Sequence, residues 1–246
     1  MKPGEPGERS EAGEAVERGG VGEAGERGGV RRKPRMRQAT TVDGLIEQLI
    51  DVGAGVVERG FALASGGNLS ARLPGSEEFV VTGKGTWLDR LEPADFTVMN
   101  LAGEIVGGNP SPSSEWKLHQ RTYEVRQDAG AVVHMHPQHA VLVDALGHEI
   151  RLLTLDHAVY VRSIGRVPFH PNGSDELADG AAEQAKEHNC VLLAHHGCSA
   201  LGEDVGMAFR RAMNIEEAAT ATYRALLLGD RTTRFPTSAD EAIQHA

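Results

Sequence analysis

The chain has 246 residues and a formal net charge of −10, enough length to bury a core in one large domain or two small ones. The acidic balance argues against nucleic acid or an anionic membrane as the main partner, and no apolar run approaches the ~18 residues of a membrane span. Two cysteines, Cys190 and Cys198, make no disulfide framework, and the N-terminus lacks the apolar core of a secretory signal, so a cytoplasmic protein is expected.

Residues 1–38 are Gly, Glu and Arg with almost no large apolar side chains. They bury too little surface to offset ordering entropy and are read as a disordered leader. A domain is expected over 39–230, followed by a polar tail over 231–246 that contains Pro236 and no tyrosine. From Thr41 the apolar residues Leu45, Ile46, Leu49, Ile50, Val56 and Val57 recur with helical spacing. Thr41 suits an N-cap and Gly60 a stop, while Gly53 and Gly55 weaken the middle enough to allow a break.

Ser65-Gly-Gly-Asn-Leu-Ser70 follows, either a phosphate cradle or a Gly-Gly turn leading into a strand. Phe79–Thr82 reads as a strand, and Gly83-Lys-Gly-Thr86 as a second glycine-rich turn whose Lys84 adds a cation. This is not a P-loop, because the glycine spacing before the Lys-Ser/Thr pair is absent. Phe96–Met99 and Glu104–Val106 flank a hairpin turn. Pro110-Ser-Pro-Ser-Ser-Glu115 leads into a helix running to about Arg126, with Ser113 or Ser114 as the N-cap and Glu115 in the first turn. Two hydroxyls and free backbone N–H groups there could cap the helix or hold a phosphate.

Ala131-Val-Val-His-Met-His-Pro137 is the most informative stretch. Alternation along a strand puts His134 and His136 on one side and Val133 and Met135 on the other, a start for a metal site that needs a third ligand. Gln138–Leu146 looks helical, and His139 has no evident partner. Leu152–Tyr160, with Asp156 and His157, reads as a short strand or turn, and Arg162–Phe169 as a return to the sheet. A helix starts near Ser174. Cys190–Ala194 is a second buried strand ending in His195-His196-Gly197, and one of these two histidines is the best source of the missing ligand. Cys198 is close enough to join the site but reads as a small buried residue. Val205–Leu228 is a long helix whose small and apolar face suits core or subunit packing.

Taken together, Gly67-Asn68-Leu-Ser70, Thr82-Gly-Lys-Gly85, Pro112-Ser113-Ser114-Glu115, His134-Met-His136 and His195-His196-Gly197 resemble the class II aldolase/adducin family, in particular its fuculose-1-phosphate aldolase branch. The resemblance covers roughly 41–230. It implies an α/β fold of three layers, α/β/α, with a mainly antiparallel central sheet, and a homotetramer with active sites at subunit interfaces. It implies zinc or another divalent metal on His134, His136 and His196, with Glu115 as the catalytic acid/base. Asn68, Lys84, Gly85, Ser113 and Ser114 match the phosphate pocket.

The implied reaction cleaves a ketose 1-phosphate, fuculose-1-phosphate or a 5-deoxypentulose 1-phosphate, to dihydroxyacetone phosphate and a short aldehyde. Zinc would polarise the carbonyl while Glu115 moves the proton. Lys84 departs from the small hydroxyl residue of the fuculose enzymes. Their aldehyde-side tyrosines are also missing, with His157 near one position and Tyr160 close by. Alternatives within the family are a pentulose-5-phosphate 4-epimerase, which would carry Asp in place of Glu115, and a sugar-phosphate dehydratase or decarboxylase. An adducin-like interaction module is the non-catalytic alternative, and it would lack the three histidines.

Overall fold

The computed structural model describes residues 39–238 and Glu241. The expected leader over 1–38 lies outside the described residues, as do 239, 240 and 242–246. Helix α1 (Val42–Glu58) starts where Thr41 accepts the Gly44 N–H at 3.1 Å. It is continuous, so the break that Gly53 and Gly55 would allow does not occur. The glycines serve packing instead: a Cβ on Gly53 would lie 2.4 Å from the Leu88 carbonyl oxygen, and one on Gly55 2.9 Å from the Phe209 ring. Helix cost is exchanged for close approach. Gly53→Ala is therefore expected to destabilise the fold by about 1–3 kcal/mol through overpacking, despite its better helix propensity, as read from the midpoint of urea unfolding.

Strands β1 (Asn68–Ala71), β2 (Glu78–Thr82), β3 (Phe96–Asn100) and β4 (Ile105–Gly108) form an antiparallel meander, with the expected hairpin between the last two. Helix α2 (Trp116–Val125) leads to β5 (Ala131–Met135), which returns to pair with β1, and then to α3 (Gln138–Ala145). The segment over Leu152–Tyr160 is neither strand nor simple turn; it closes as one π-helical turn, His157–Val161. Strand β6 (Ile164–Val167), helix α4 (Asp175–Ala185), strands β7 (Cys190–Leu193) and β8 (Gly197–Gly202) and helix α5 (Val205–Leu227) complete the order. The eight strands lie as β4-β3-β2-β1-β5-β8-β7-β6, and only β6 and β7 are parallel. The three-layer, mainly antiparallel expectation therefore holds.

Alternation divides the core. Leu69, Ala71, Val133 and Met135 pack with α1, α3 and α5, while Phe79, Val81, Val132 and Val191 pack with α2 and α4 on the opposite face. Helices α2 and α4 are tied at their outer rim by Lys117 to Asp175 at 3.0 Å and by Arg121 to Asp175 and Asp179. His139, unpartnered in the sequence reading, meets Glu216 of α5 at 2.8 Å. The same carboxylate accepts the His139 and Ala140 N–H groups and so caps α3. Part of the polar tail packs back onto the domain: the Phe235 N–H donates to the Leu152 carbonyl, and Arg234 pairs with Glu149 at 2.6 Å.

Candidate metal centre

Three elements deliver the cluster. His134 leaves β5 on the α2 side of the sheet, with Val132, while Val133 and Met135 enter the other core. His136 lies just past the strand end, where its N–H donates to the Phe61 carbonyl at 2.8 Å. His196 comes from the β7–β8 turn. There His195 adopts φ +58°, a left-handed conformation uncommon outside glycine, and stays exposed while His196 turns inward. The turn, rather than strand alternation, selects between the neighbouring histidines. Glu115 is the N-cap residue of α2, not a first-turn residue as expected from Ser113 or Ser114 capping. Its side chain makes no cap hydrogen bond and points at the histidines instead, while the Ser113 hydroxyl accepts its backbone N–H at 3.2 Å.

The geometry is convergent. The three imidazole centroids are each 5.0 Å apart. His134 Nε2 lies 3.1 Å from His136 Nε2 and 3.2 Å from Glu115 Oε2, and His196 Nε2 lies 3.4 Å from Glu115 Oε1. One ligand atom from each of the four residues falls within 4.8 Å of the others. His134 Nδ1 donates to the Cys198 carbonyl at 3.1 Å, which leaves a lone pair on Nε2 facing the centre. Cys198 thus contributes its backbone, while burial pushes its thiol far above the ordinary range.

Burial, and after it mutual repulsion within the cluster, holds His136 down at about 3 and lowers His196. Neutral imidazoles are the form that binds a metal. Burial would raise the Glu115 carboxyl, but positive charge on His134 or His196, or on a cation in their place, together with the Asn68 amide more than offsets it and keeps the group well below the usual carboxylate range. Glu115 Oε1 is buried with no hydrogen-bond partner. Facing ring nitrogens and an orphaned carboxylate oxygen, all aimed at one point, are the donor set a divalent cation would satisfy.

Beside the cluster lies a cavity of about 210 Å³. Asn68, Lys84, Gly85, Ser113 and Ser114 all line it, as do Glu115 and His136 of the cluster. Its two walls are stitched together: the Lys84 N–H donates to the Ser111 carbonyl and the Ser113 N–H to the Thr82 carbonyl, both at 2.9 Å. Gly67, at φ +77°, precedes β1, and a Cβ there would come 2.7 Å from the His134 carbonyl oxygen, so only glycine lets this wall approach β5. A larger cavity of about 780 Å³ near Asp144 and Arg234 holds none of the clustered histidines.

Three residues missed in the sequence also gather here. Asn172, from the loop before α4, lines the cavity. His119 and Tyr123 follow Glu115 at intervals of four along α2 and meet the polar side chains of β1. Asn68 Nδ2 donates to Glu115 Oε2 at 2.9 Å, Asn68 Oδ1 lies 2.5 Å from His119 Nε2, and Ser70 Oγ lies 2.7 Å from both His119 Nδ1 and the Tyr123 hydroxyl. The four-residue spacing after Glu115 was the available signal. Nothing in the sequence marked Asn172.

A sheet flanked by helices on both faces, with three histidines and a glutamate converging beside a cation-bearing glycine turn, defines a candidate metal-dependent site of the α/β class. Residues 47–223 match the family model of the class II aldolase and adducin N-terminal domain, and the chain belongs to that family. It is similar to a 5-deoxy-D-ribulose 1-phosphate aldolase of Bacillus thuringiensis, 30% identical over 75% of this chain and 86% of the relative. It is also similar to a 3-oxo-tetronate 4-phosphate decarboxylase of Escherichia coli K12, 29% identical over 83% and 96%. A solved L-fuculose 1-phosphate aldolase superposes with a TM-score of 0.77 at 26% identity, covering 85% of this chain and 97% of that one. No helix among the described residues is long and apolar enough to cross a membrane.

Proposed function

We propose that the protein is a metal-dependent aldehyde-lyase that cleaves a ketose 1-phosphate to dihydroxyacetone phosphate and a short aldehyde. The observation that carries this reading is the cluster of His134, His136, His196 and Glu115 opening onto the cavity that Lys84 lines. The three histidines would hold zinc or another divalent ion, which supplies an electrophile for the substrate carbonyl and its neighbouring hydroxyl. Glu115 then moves the proton at the carbon that becomes nucleophilic in the synthetic direction. Lys84, Gly85, Ser113, Ser114 and Asn68 hold the phosphate at the start of α2, where the helix end favours an anion, and so orient the reacting carbons. A 5-deoxypentulose 1-phosphate and fuculose-1-phosphate are the candidate substrates, given the aldolase relatives.

The decarboxylase relative supports a second reading. Loss of CO₂ from a 3-oxo acid phosphate also leaves negative charge next to a carbonyl, and the same electrophile and proton donor would serve it. Incubating the metallated protein with ketose 1-phosphates, ketose 5-phosphates and 3-oxo-tetronate 4-phosphate separates the readings. Triose phosphate release from a 1-phosphate supports the aldolase. CO₂ release alone supports the decarboxylase, and isomerised 5-phosphate supports an epimerase. The reading includes a cytoplasmic homotetramer with interfacial sites, as the family resemblance implies, and light scattering on the eluting protein tests that mass.

Lys84 is exposed and its chain reaches the cavity. Lys84→Met is expected to raise the apparent KM for phosphorylated substrate by roughly tenfold, the scale of one lost charge-assisted hydrogen bond. Equal weakening for an unphosphorylated analogue would place Lys84 outside the phosphate contact.

A further inference from the structure

We propose that Asn68, His119, Ser70 and Tyr123 form a one-directional hydrogen-bond chain that positions Glu115, with His119 as its central positioning residue. The inference rests on the proposed role of Glu115 in proton transfer.

The chain is built from two periodicities that meet. Leu69 and Ala71 of β1 enter the core on the α1 side, so Asn68 and Ser70 face α2. On α2, His119 and Tyr123 lie one and two turns beyond Glu115 on the same helix face. Interleaving gives the order Glu115, Asn68, His119, Ser70, Tyr123, with successive contacts of 2.9, 2.5, 2.7 and 2.7 Å. Every member is buried: His119, Ser70 and Tyr123 are 0% exposed, Glu115 3% and Asn68 4%.

Donor counting assigns the direction. A carboxylate only accepts, so Asn68 must turn its NH₂ toward Glu115 and its carbonyl oxygen toward His119. That oxygen needs a donor, so His119 carries its proton on Nε2. A neutral imidazole then has a lone pair on Nδ1, which accepts from the Ser70 hydroxyl. With its hydrogen used, Ser70 accepts from the Tyr123 hydroxyl, which ends the chain. Reversing any one link reverses the rest and presents the Asn68 carbonyl oxygen to the Glu115 carboxylate, two acceptors face to face. The Glu115 charge therefore fixes the order of five groups, and the order in turn fixes Glu115.

The consequence lies at the far oxygen. Oε2 is held by Asn68, while Oε1 is buried without a hydrogen-bond partner and faces His196. The chain holds the carboxylate so that this oxygen meets the reacting carbon in one orientation. A buried hydrogen-bond chain of this kind locks a geometry, and a misplacement of about 1 Å in such a group costs up to ~10²-fold in rate.

Two measurements test the inference. In ¹⁵N histidine NMR spectra of the full-length protein, His119 is expected as the neutral tautomer protonated at Nε2. The Nδ1-protonated tautomer, or a charged ring at neutral pH, would overturn the assigned direction whatever the activity. The second measurement follows exchange of a carbon-bound proton of dihydroxyacetone phosphate with solvent deuterium. His119→Leu is expected to slow it by about ten- to a hundredfold at saturating dihydroxyacetone phosphate, with metal content within twofold of the unsubstituted protein. His119→Gln, which keeps one donor and one acceptor, is expected to recover most of that loss. A folded, metal-loaded His119→Leu protein exchanging at the original rate overturns the proposal, as does a loss matched by equal loss of metal. If His119→Leu does not fold, Ser70→Ala decides: the same slower exchange supports the chain and an unchanged rate overturns it. If the unsubstituted protein exchanges no proton, the aldolase reading fails, and the NMR result still decides the chain.

Discussion

Replacing His136 with alanine is expected to remove bound metal and catalysis together. His134 and His136 reach the centre from the end of β5 and His196 from the β7–β8 turn; Glu115 already aims Oε1 at that centre, and His195 is turned out to solvent, so no further imidazole replaces His136. Two imidazoles and one carboxylate oxygen would bind a divalent ion far more weakly than three imidazoles with that carboxylate beside them. Electrophilic stabilisation of a developing negative charge is worth several kcal/mol, so residual activity is expected to fall on the order of 10³-fold or more. The fold should survive, because His136 lies past the end of β5 rather than in the core. Elemental analysis of dialysed protein checks the first part, and triose phosphate release the second. A His136→Ala protein that keeps a full complement of metal would remove His136 from the ligand set.

The Glu115→Gln variant is expected to separate metal binding from proton transfer. The amide oxygen can still accept from Asn68, so the side chain keeps its place, and His134, His136 and His196 keep their lone pairs. What is lost is the group that takes and returns a proton. Exchange of a carbon-bound proton of dihydroxyacetone phosphate should fall by about 10²–10⁴-fold, the usual contribution of a positioned general base, with metal content unchanged. Persistence of exchange at the original rate would show that another group moves the proton. Metal lost along with exchange would show that Glu115 acts mainly as a ligand.

The two variants probe different parts of one arrangement, and those parts differed in how visible they were beforehand. His134 and His136 stand two apart at the end of an apolar run, so strand alternation alone put them on one face. The sheet boundaries were readable for the same reason, since Phe79–Thr82, Phe96–Met99 and Cys190–Ala194 carry runs of strand-forming residues. Choosing His196 over His195 needed the family resemblance, because both follow the same strand. The reason lies in a left-handed backbone conformation at His195, which residue identity does not announce. Gly53 and Gly55 misled for a related reason. Helix propensity marks them as weak points, but their value comes from the Leu88 backbone and the Phe209 ring, which lie 35 or more residues away in sequence.

Local order along the chain thus determined most of the strands but not β8, most helix limits and the pairing of His134 with His136, because periodicity and capping act between residues a few positions apart. The tertiary structure alone decided that Glu115 turns away from its helix toward the imidazoles, that His119 and Tyr123 join Asn68 and Ser70 in one buried chain, and that Asn172 reaches the cavity. The first two depend on register between β1 and β5 and on where α2 crosses the sheet, the third on the path of the loop before α4. Contacts of that kind are set by packing across the whole domain, and no short window of sequence contains both partners.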